Sequence, residues 1–557
     1  MTTTDHLSDP LAQILGSLQE PGNPAGANML LAADEQGRLP AAEHLLDRYG
    51  VGAELVPPGL GGRFASLPRL IRTLRVVFGR DAALGLASAG GALMAAANVW
   101  VAGDEAQQTA MARVLLGGGR VATGYHELAH GNDFARASLC AFPGRDGRLR
   151  LTGGKEVISN AARAEALVLF ARTSPARGNR SHSLIFVERC ALDPSCVIDL
   201  PRFTTAGLQG VPLQGFRFID CPVPSGSIVG TPGTGIETGL RSFQVSRIGL
   251  PGMWAGSVET GLWLALRFVI RRRLYGRPVK DIPIVRRQLA ECFADLLLCE
   301  AMVEVAARVL HLRPGQGLVV AALTKHFVSG CLLRAMSRLS KVLGAHFYLR
   351  EGEYALFQKH LRDLAPIGFG HTARGACLAT ALPQLPRLAQ GAWQEPVDGD
   401  VGVFDVAAPL PPLDFRALQA GGDGRDELGA SLLFGVDADV PGLSTMMVDV
   451  RESAARLTIR DVGPDGGPRP ARLTDAYSAC LAGAAARGVT RHAHHNGADP
   501  FLREPFLRDA LTVRALATVT QPPPALPESV TGHLFDELVA RYEAGLSFEL
   551  TPRLLHR

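Results

Sequence analysis

The spacing of apolar residues changes twice along this chain, and that double switch constrains the fold more than any other feature. Residues 1 to about 120 carry a helical repeat. Leu11, Ile14, Leu15 and Leu18 fall on one face, as do Leu45, Leu46 and Tyr49; beyond a Pro-Gly turn at 57–62, two more helices are predicted over 70–78 and 83–99. From about 121 to 233 short apolar runs at 148–151, 167–170, 184–187 and 216–219 alternate with turns, the spacing of a small β-barrel or sandwich. After the glycine-rich stretch 230–235 the helical period returns, with Leu289, Cys292, Phe293, Leu296 and Leu297 on one face. Segments at about 236–271, 284–312, 317–343 and 354–388 predict the four long helices of a bundle. A Pro-rich stretch at 396–412 reads as a linker, and the rest is mostly helical with a break at 521–524. The expected class is α+β: an N-terminal helical domain (1–120), a middle β-barrel or sandwich domain (121–233), a C-terminal four-helix bundle (234–390), and a linker with a helical C-terminal extension (391–557).

Composition narrows the function. The 557 residues exceed what one core holds. A formal charge of +4, spread along the chain without a basic tract, predicts no nucleic-acid partner. No uncharged apolar run is expected to reach the roughly 20 residues that span a bilayer, and residues 1–10 lack a charged-then-apolar leader pattern; the expected location is the cytoplasm. Nine scattered cysteines without a CxxC pair read as free thiols. His492, His494 and His495 form a His-x-His-His group with no further ligand in view, so a solvated helix end is expected and no metal site. The loop 230–235 is not followed by the Lys-Ser/Thr of a P-loop.

Three segments carry candidate chemistry. The first, Tyr125-His126-Glu127-Leu128-Ala129-His130-Gly131-Asn132-Asp133, is a small-residue turn that can present backbone N–H groups to an anionic or carbonyl-rich ligand. Next comes Lys155-Glu156-Val157-Ile158-Ser159-Asn160, a strand ending in hydroxyl and amide groups. The third, Arg271-Arg272-Arg273-Leu274-Tyr275-Gly276-Arg277, is a basic helix end, suited to a phosphate or simply to the helix C-terminus. Taken singly, each also suits a surface turn, an ordinary strand or a solvated helix end.

In this order, and joined by Arg362-Asp363 and Gly370-His371-Thr372, the segments resemble the acyl-CoA dehydrogenase family over about residues 10–390. That family shows a Thr-Glu-Pro-x-x-Gly-Ser-Asp turn, a Lys-x-Trp-Ile-Thr-Asn strand, an Arg-x-x-Phe-Gly helix end and a terminal Arg-Asp…Glu-Gly-Thr segment. The resemblance implies FAD held between the β domain and the bundle, and partly by a neighbouring subunit, in a homodimer or homotetramer. It also implies an acyl thioester substrate, on CoA or on an acyl carrier protein. Carried over by position, Thr123, Tyr125, His126, Gly131, Asn132, Val157 and Ser159 should face the flavin ring or the thioester entrance. Arg272 and Tyr275 should reach a cofactor bound mainly by the partner, Thr372 should lie near its pyrophosphate, and Lys341 and Gly344 fall in the family's Gln-x-x-Gly-Gly contact. Arg247 takes the family's place beneath the active-site helix, with a structural salt bridge as the plain alternative.

The departures concern proton chemistry. The family removes the substrate α-proton with a glutamate. Its usual position is Gly370 here, and the alternative position on the first bundle helix is Ser246. His371, beside the empty position, is the candidate base; Glu127, His126 and a shifted Glu353 are others. The expected function is thus a flavin-dependent acyl-thioester oxidoreductase of specialised (biosynthetic) metabolism with an unassigned electron acceptor. A non-redox enzyme of the same fold (dehydration, cyclisation or acyl transfer) and a silent subunit paired with an active paralogue are the alternatives.

Overall fold

The computed structural model describes residues 9–176, 178–396, 401–435, 440–463, 466–493 and 499–555. His494, His495 and part of the Pro-rich linker lie outside the described residues. The N-terminal part holds α1 (Pro10–Leu15), α2 (Ala27–Glu35), α3 (Pro40–Tyr49), α4 (Leu67–Arg80), α5 (Ala82–Gly85), α6 (Gly91–Ala102) and α7 (Glu105–Leu116). Local chemistry sets their ends. The Ser66 side chain accepts from Arg69 N at the start of α4, and Asp104 and Gln107 form a capping box at α7. On α4, Leu67, Leu70, Leu74, Val77 and Phe78 are buried at helical spacing, and the helix packs against the first bundle helix.

One expectation fails in this region. The stretch Ala82–Ala102 carries no charged residue and is long and apolar enough to cross a membrane, as is Pro314–Tyr348, although this one contains charges. In each, 89% of the most apolar window is buried inside the protein, so packing against other helices accounts for the apolarity.

The middle part is one eight-stranded sheet of β1 (Val121–Gly124), β2 (Cys140–Pro143), β3 (Leu149–Ser159), β4 (Ala166–Arg172), β5 (His182–Glu188), β6 (Val197–Asp199), β7 (Leu213–Pro222) and β8 (Ile228–Val229). The strand order is β6-β7-β3-β2-β4-β5-β8, and β1 adds to β4 in parallel. The four apolar runs predicted as strands lie in β3, β4, β5 and β7. In the β3–β7 ladder the register shifts between Lys155 and Ile158, and within that bulge Val157 takes φ 55°.

The bundle has three long helices, α8 (Gly235–Arg271), α9 (Pro283–Leu312) and α10 (Gly317–Leu343), with a small β9–β10 hairpin (Arg273–Leu274 and Arg277–Pro278) after α8. The fourth long helix expected at 354–388 is instead broken into α11 (Ala355–Asp363), a 3-10 turn (Ala365–Gly368), α12 (Arg374–Ala381) and α13 (Leu385–Gln390). Pro366 lacks a backbone donor, and His371 sits at φ 62°, outside helical space, so the segment cannot run on as one helix.

The extension adds α14 (Glu427–Phe434), α15 (Leu443–Ala455), α16 (Ile459–Val462), α17 (Pro468–His492), α18 (Pro505–Leu516) and α19 (Glu528–Glu543). Helices α17, α18 and α19 cover α9. Arg514 forks onto Asp295 of α9 (Nε–Oδ1 2.7 Å, Nη2–Oδ2 3.0 Å). The described part of the linker is pinned as well, with Arg308 donating to the carbonyls of Gly402 and Ala408. A buried charge cluster joins the three parts: Lys359 Nζ lies 2.6 Å from both Asp81 and Asp363, Asp363 accepts from Leu208 N at 2.7 Å, and Arg362 pairs with Asp34.

Candidate active site

A cavity of 470 Å³ opens where the N-terminal helices, the sheet and the bundle meet. This is within the roughly 300–1,000 Å³ usual for small-molecule sites. The sheet contributes Thr123, Tyr125 and His126 at and beyond the end of β1, Val157 from the β3 bulge and Ser159 from the end of β3. Leu86 and Met94 form part of the N-terminal wall, and Leu250 and Trp254 of α8 and Lys325 of α10 line the bundle side. Phe369, Gly370 and His371 complete it from the broken fourth helix. Six of the predicted site residues (Thr123, Tyr125, His126, Val157, Ser159 and His371) therefore line one space, although they are spread over 249 positions.

His371 is held from two sides. Its Nε2 lies 2.6 Å from Ser246 Oγ on α8, and its ring stands edge-on to Phe243, with centroids 4.6 Å apart. Ser246 Oγ is also 3.3 Å from the Phe243 carbonyl, an acceptor for its own proton. With the Ser246 proton on that carbonyl, Nε2–H can donate to Ser246 Oγ and leave the lone pair on Nδ1. Burial, reinforced by the positive charges of Lys325, His126 and Arg247, holds this imidazole well below its ordinary value. Ser246 itself is buried behind the ring, outside the cavity wall.

The usual position of the family glutamate is closed to any side chain. A Cβ on Gly370 would stand 2.8 Å from the Pro366 carbonyl oxygen, to which Gly370 N also donates at 2.6 Å.

His126 bridges two walls, with Nδ1 3.2 Å from the Gly131 carbonyl and Nε2 3.0 Å from the His371 carbonyl. Tyr125 turns its hydroxyl away into the core, where it donates to Asn98 Oδ1 at 2.7 Å, and its ring stacks on Phe170. Gly131 lies at φ 55° in the turn below, and Asn132 Oδ1 accepts from Ala373 N at 3.4 Å. Next to this contact Thr372 is 2% exposed with a hydroxyl that has no hydrogen-bond partner.

The other carboxylates proposed as bases are engaged elsewhere. Glu127 accepts from Lys155 Nζ (2.8 Å), Ser138 N (2.7 Å), Ser138 Oγ (2.5 Å) and Leu139 N (3.0 Å). Burial raises its pKa, but the Lys155 charge and these donors outweigh it and hold the carboxyl at about 2, so the pair is ionised and structural. Glu353 lies at the far end of the bundle, 2.7 Å from both Arg267 and Arg271.

Arg247, expected in the family's place or in a salt bridge, has no carboxylate partner among the described residues. It is 2% exposed, its Nε and Nη1 are unbonded, and Nη2 reaches only Thr380 Oγ1 at 3.3 Å. Lys325, also 2% exposed, is a site residue that sequence reasoning missed. Its ammonium lacks an acidic partner among the described residues, and burial, with Arg247 adding to it, brings it down to about 8.

Four predicted cofactor residues stand apart from the cavity. Arg272, Tyr275, Lys341 and Gly344 are exposed at the far end of the bundle, Tyr275 to 91%. Arg272 follows α8 some 26 residues after Ser246, roughly 39 Å along the axis at the α-helical rise. It cannot serve the cavity of its own chain.

The family description "Acyl-CoA dehydrogenase, C-terminal domain" matches residues 233–372. The chain is 28% identical over 204 residues to the acryloyl-CoA reductase (NADH) of Anaerotignum propionicum, a match covering 36% of this chain and only about half (51%) of the relative. It is 25% identical over 338 residues to the human mitochondrial short-chain specific acyl-CoA dehydrogenase, covering 59% of this chain and 79% of the relative. A Bacillus anthracis acyl-CoA dehydrogenase solved in complex with FAD shares the fold at TM-score 0.70 and 16% identity, over 96% of this chain and 94% of that one.

Proposed function

Because the chain belongs to the acyl-CoA dehydrogenase family, we propose that it is a flavin-dependent oxidoreductase of an acyl thioester whose proton chemistry runs through His371 instead of a glutamate. The observation that carries this reading is the single cavity in which the bulged β3, α8 and the His371 segment meet.

The residues present fit FAD. Val157 in the bulge and Ser159 at the end of β3 line the cavity, and Thr372 keeps a buried, unsatisfied hydroxyl beside the Gly131–Asn132 turn, where a pyrophosphate would be received. When bound, FAD supplies the two-electron acceptor for the hydride that leaves the substrate β-carbon. The protein's part is to position and to move protons. Nδ1 of His371 takes the α-proton, while Ser246 fixes the tautomer through Nε2–H. His126 holds the His371 carbonyl and so keeps the 370–372 segment against the sheet. Leu86, Met94, Leu250 and Trp254 keep water from the reacting carbons.

Acyl transfer to Ser246 is the less favoured reading, since the imidazole stands between that hydroxyl and the cavity. A thioester on CoA or on a carrier protein suits the site equally, and the proposed setting is specialised metabolism in the cytoplasm. Arg272, Tyr275, Lys341 and Gly344, exposed together beyond the reach of their own cavity, suit a cofactor held by a second copy in a homodimer. The test is to release the cofactor by heat and identify it by mass. FAD, together with acyl-dependent bleaching of its visible absorbance, supports the reading; a colourless preparation that binds no FAD overturns it.

A further inference from the structure

The bundle side of the cavity holds positive charge that no acidic group among the described residues balances. Lys325 lines the cavity from α10 with 2% exposure, two residues beyond the apolar run Val319-Val320-Ala321-Ala322-Leu323. Behind it Arg247 of α8 lies buried between α8 and α12, with two nitrogens unbonded. The other buried cations described above are met: Lys155 has Glu127, Lys359 has Asp81 and Asp363, Arg514 has Asp295, and Arg308 has two backbone carbonyls. Leaving a buried charge unpaired costs several kcal/mol unless a partner arrives. The groups that share this corner are a neutral imidazole (His371), a hydroxyl (Ser246) and a thiol (Cys377), and burial keeps that thiol protonated. None supplies a negative charge. The missing anion must therefore enter with the ligand, and the cavity is the way in.

We propose that Lys325, backed by Arg247, receives a carboxylate carried on the acyl group of the thioester substrate. The proposal rests on the thioester reading above and narrows it to acyl chains that end or branch in a carboxylate. The cavity has room to separate the two ends of such a substrate, with the thioester against the His371 wall and the acid group at Lys325 on the α10 wall. Occupation would turn an uncompensated corner into an ion pair with Lys325, which is at once a gate against neutral acyl chains and an anchor for charged ones.

Binding of matched CoA thioesters to the isolated holoenzyme, measured by calorimetry, tests this without turnover. Succinyl-CoA is compared with butyryl-CoA, and glutaryl-CoA with pentanoyl-CoA. In at least one pair the acid should bind ten-fold or more tightly than its neutral counterpart, and Lys325→Met should abolish that preference while Lys325→Arg retains part of it. Neutral chains binding as tightly as the acids in both pairs to the unmodified protein would overturn the anion subsite and leave the thioester reading standing. Binding of none of the four would overturn both. The wild-type comparison decides the matter even if the Lys325 variants fail to fold.

Discussion

Ser246 and His371 stand 125 residues apart in sequence and 2.6 Å apart in space, and between them they touch both places from which this family draws its base. One position holds a hydroxyl in contact with the ring, and the other is a glycine directly before His371. Replacing His371 with Gln should lower turnover by about 100-fold or more, in line with the loss of a general base. Ser246→Ala should cost about ten-fold in kcat with KM little changed. Exchange of the substrate α-proton with deuterated solvent, followed by NMR, separates this role from loss of binding.

The pH profile carries a sign. An imidazole held below 6.5 in the folded chain stays unprotonated through the neutral range. Activity that needs its lone pair should be flat there and fall only as pH drops below 6.5, and this acid limb should vanish in His371→Gln. By the same linkage, the stability tied to keeping His371 neutral is complete above 6.5 and is lost as pH falls through the depressed value. Matched kcat/KM and urea-unfolding series check both.

Restoring the family's residue should not restore its chemistry. With the Pro366 carbonyl 2.8 Å from a Cβ at position 370, Gly370→Glu forces the turn open. The expected outcome is a loss of about 1–3 kcal/mol in unfolding free energy with no gain in turnover. Denaturant melts and steady-state rates on the purified variant measure the two effects.

The Lys155–Glu127 pair should prove structural. Lys155→Met leaves a carboxylate buried without its cation and should cost about 3–5 kcal/mol. In the unmodified protein Glu127 is lowered from 4.5 to about 2, so its contribution is present above pH 4.5 and is lost as pH falls towards 2. Acid titration followed by circular dichroism, compared with Glu127→Gln, shows whether this group accounts for the acid limb.

Arg272→Ala should leave the folded chain as stable as before, since among the described residues its only polar side-chain contact is His346 at 3.3 Å, while lowering the visible-to-ultraviolet absorbance ratio of the purified protein. Unchanged cofactor content in that variant would remove Arg272 from the partner's site.

Much of the architecture was legible in sequence because period and punctuation act locally. The strand runs are β-rich and turn-bounded, and the long helices keep one apolar face. What was not legible depends on long-range contacts. The predicted fourth helix fails at Pro366 and His371, where the backbone cannot continue as a helix. The uncharged stretch 82–102 was missed as a membrane-length run, and only its burial against the rest of the protein separates it from a span. Lys325 reads in sequence as one polar residue in a helix, of the kind whose charge usually reaches water. Only the packing of α8, α10 and α12 around it shows that it does not. The pairing of Ser246 with His371 likewise has no local signal.

The stretch that carries His371 is a tight turn between short helices, whereas α8, α9 and α10 are continuous, with the C-terminal extension packed on α9 and α10. Reactivity and foldability are thus written in different parts of the chain. Within residues 364–373 the backbone packed around Gly370 fixes that position, whereas His371 belongs to no helix, which makes His371 the place where the proposed chemistry is freest to diverge.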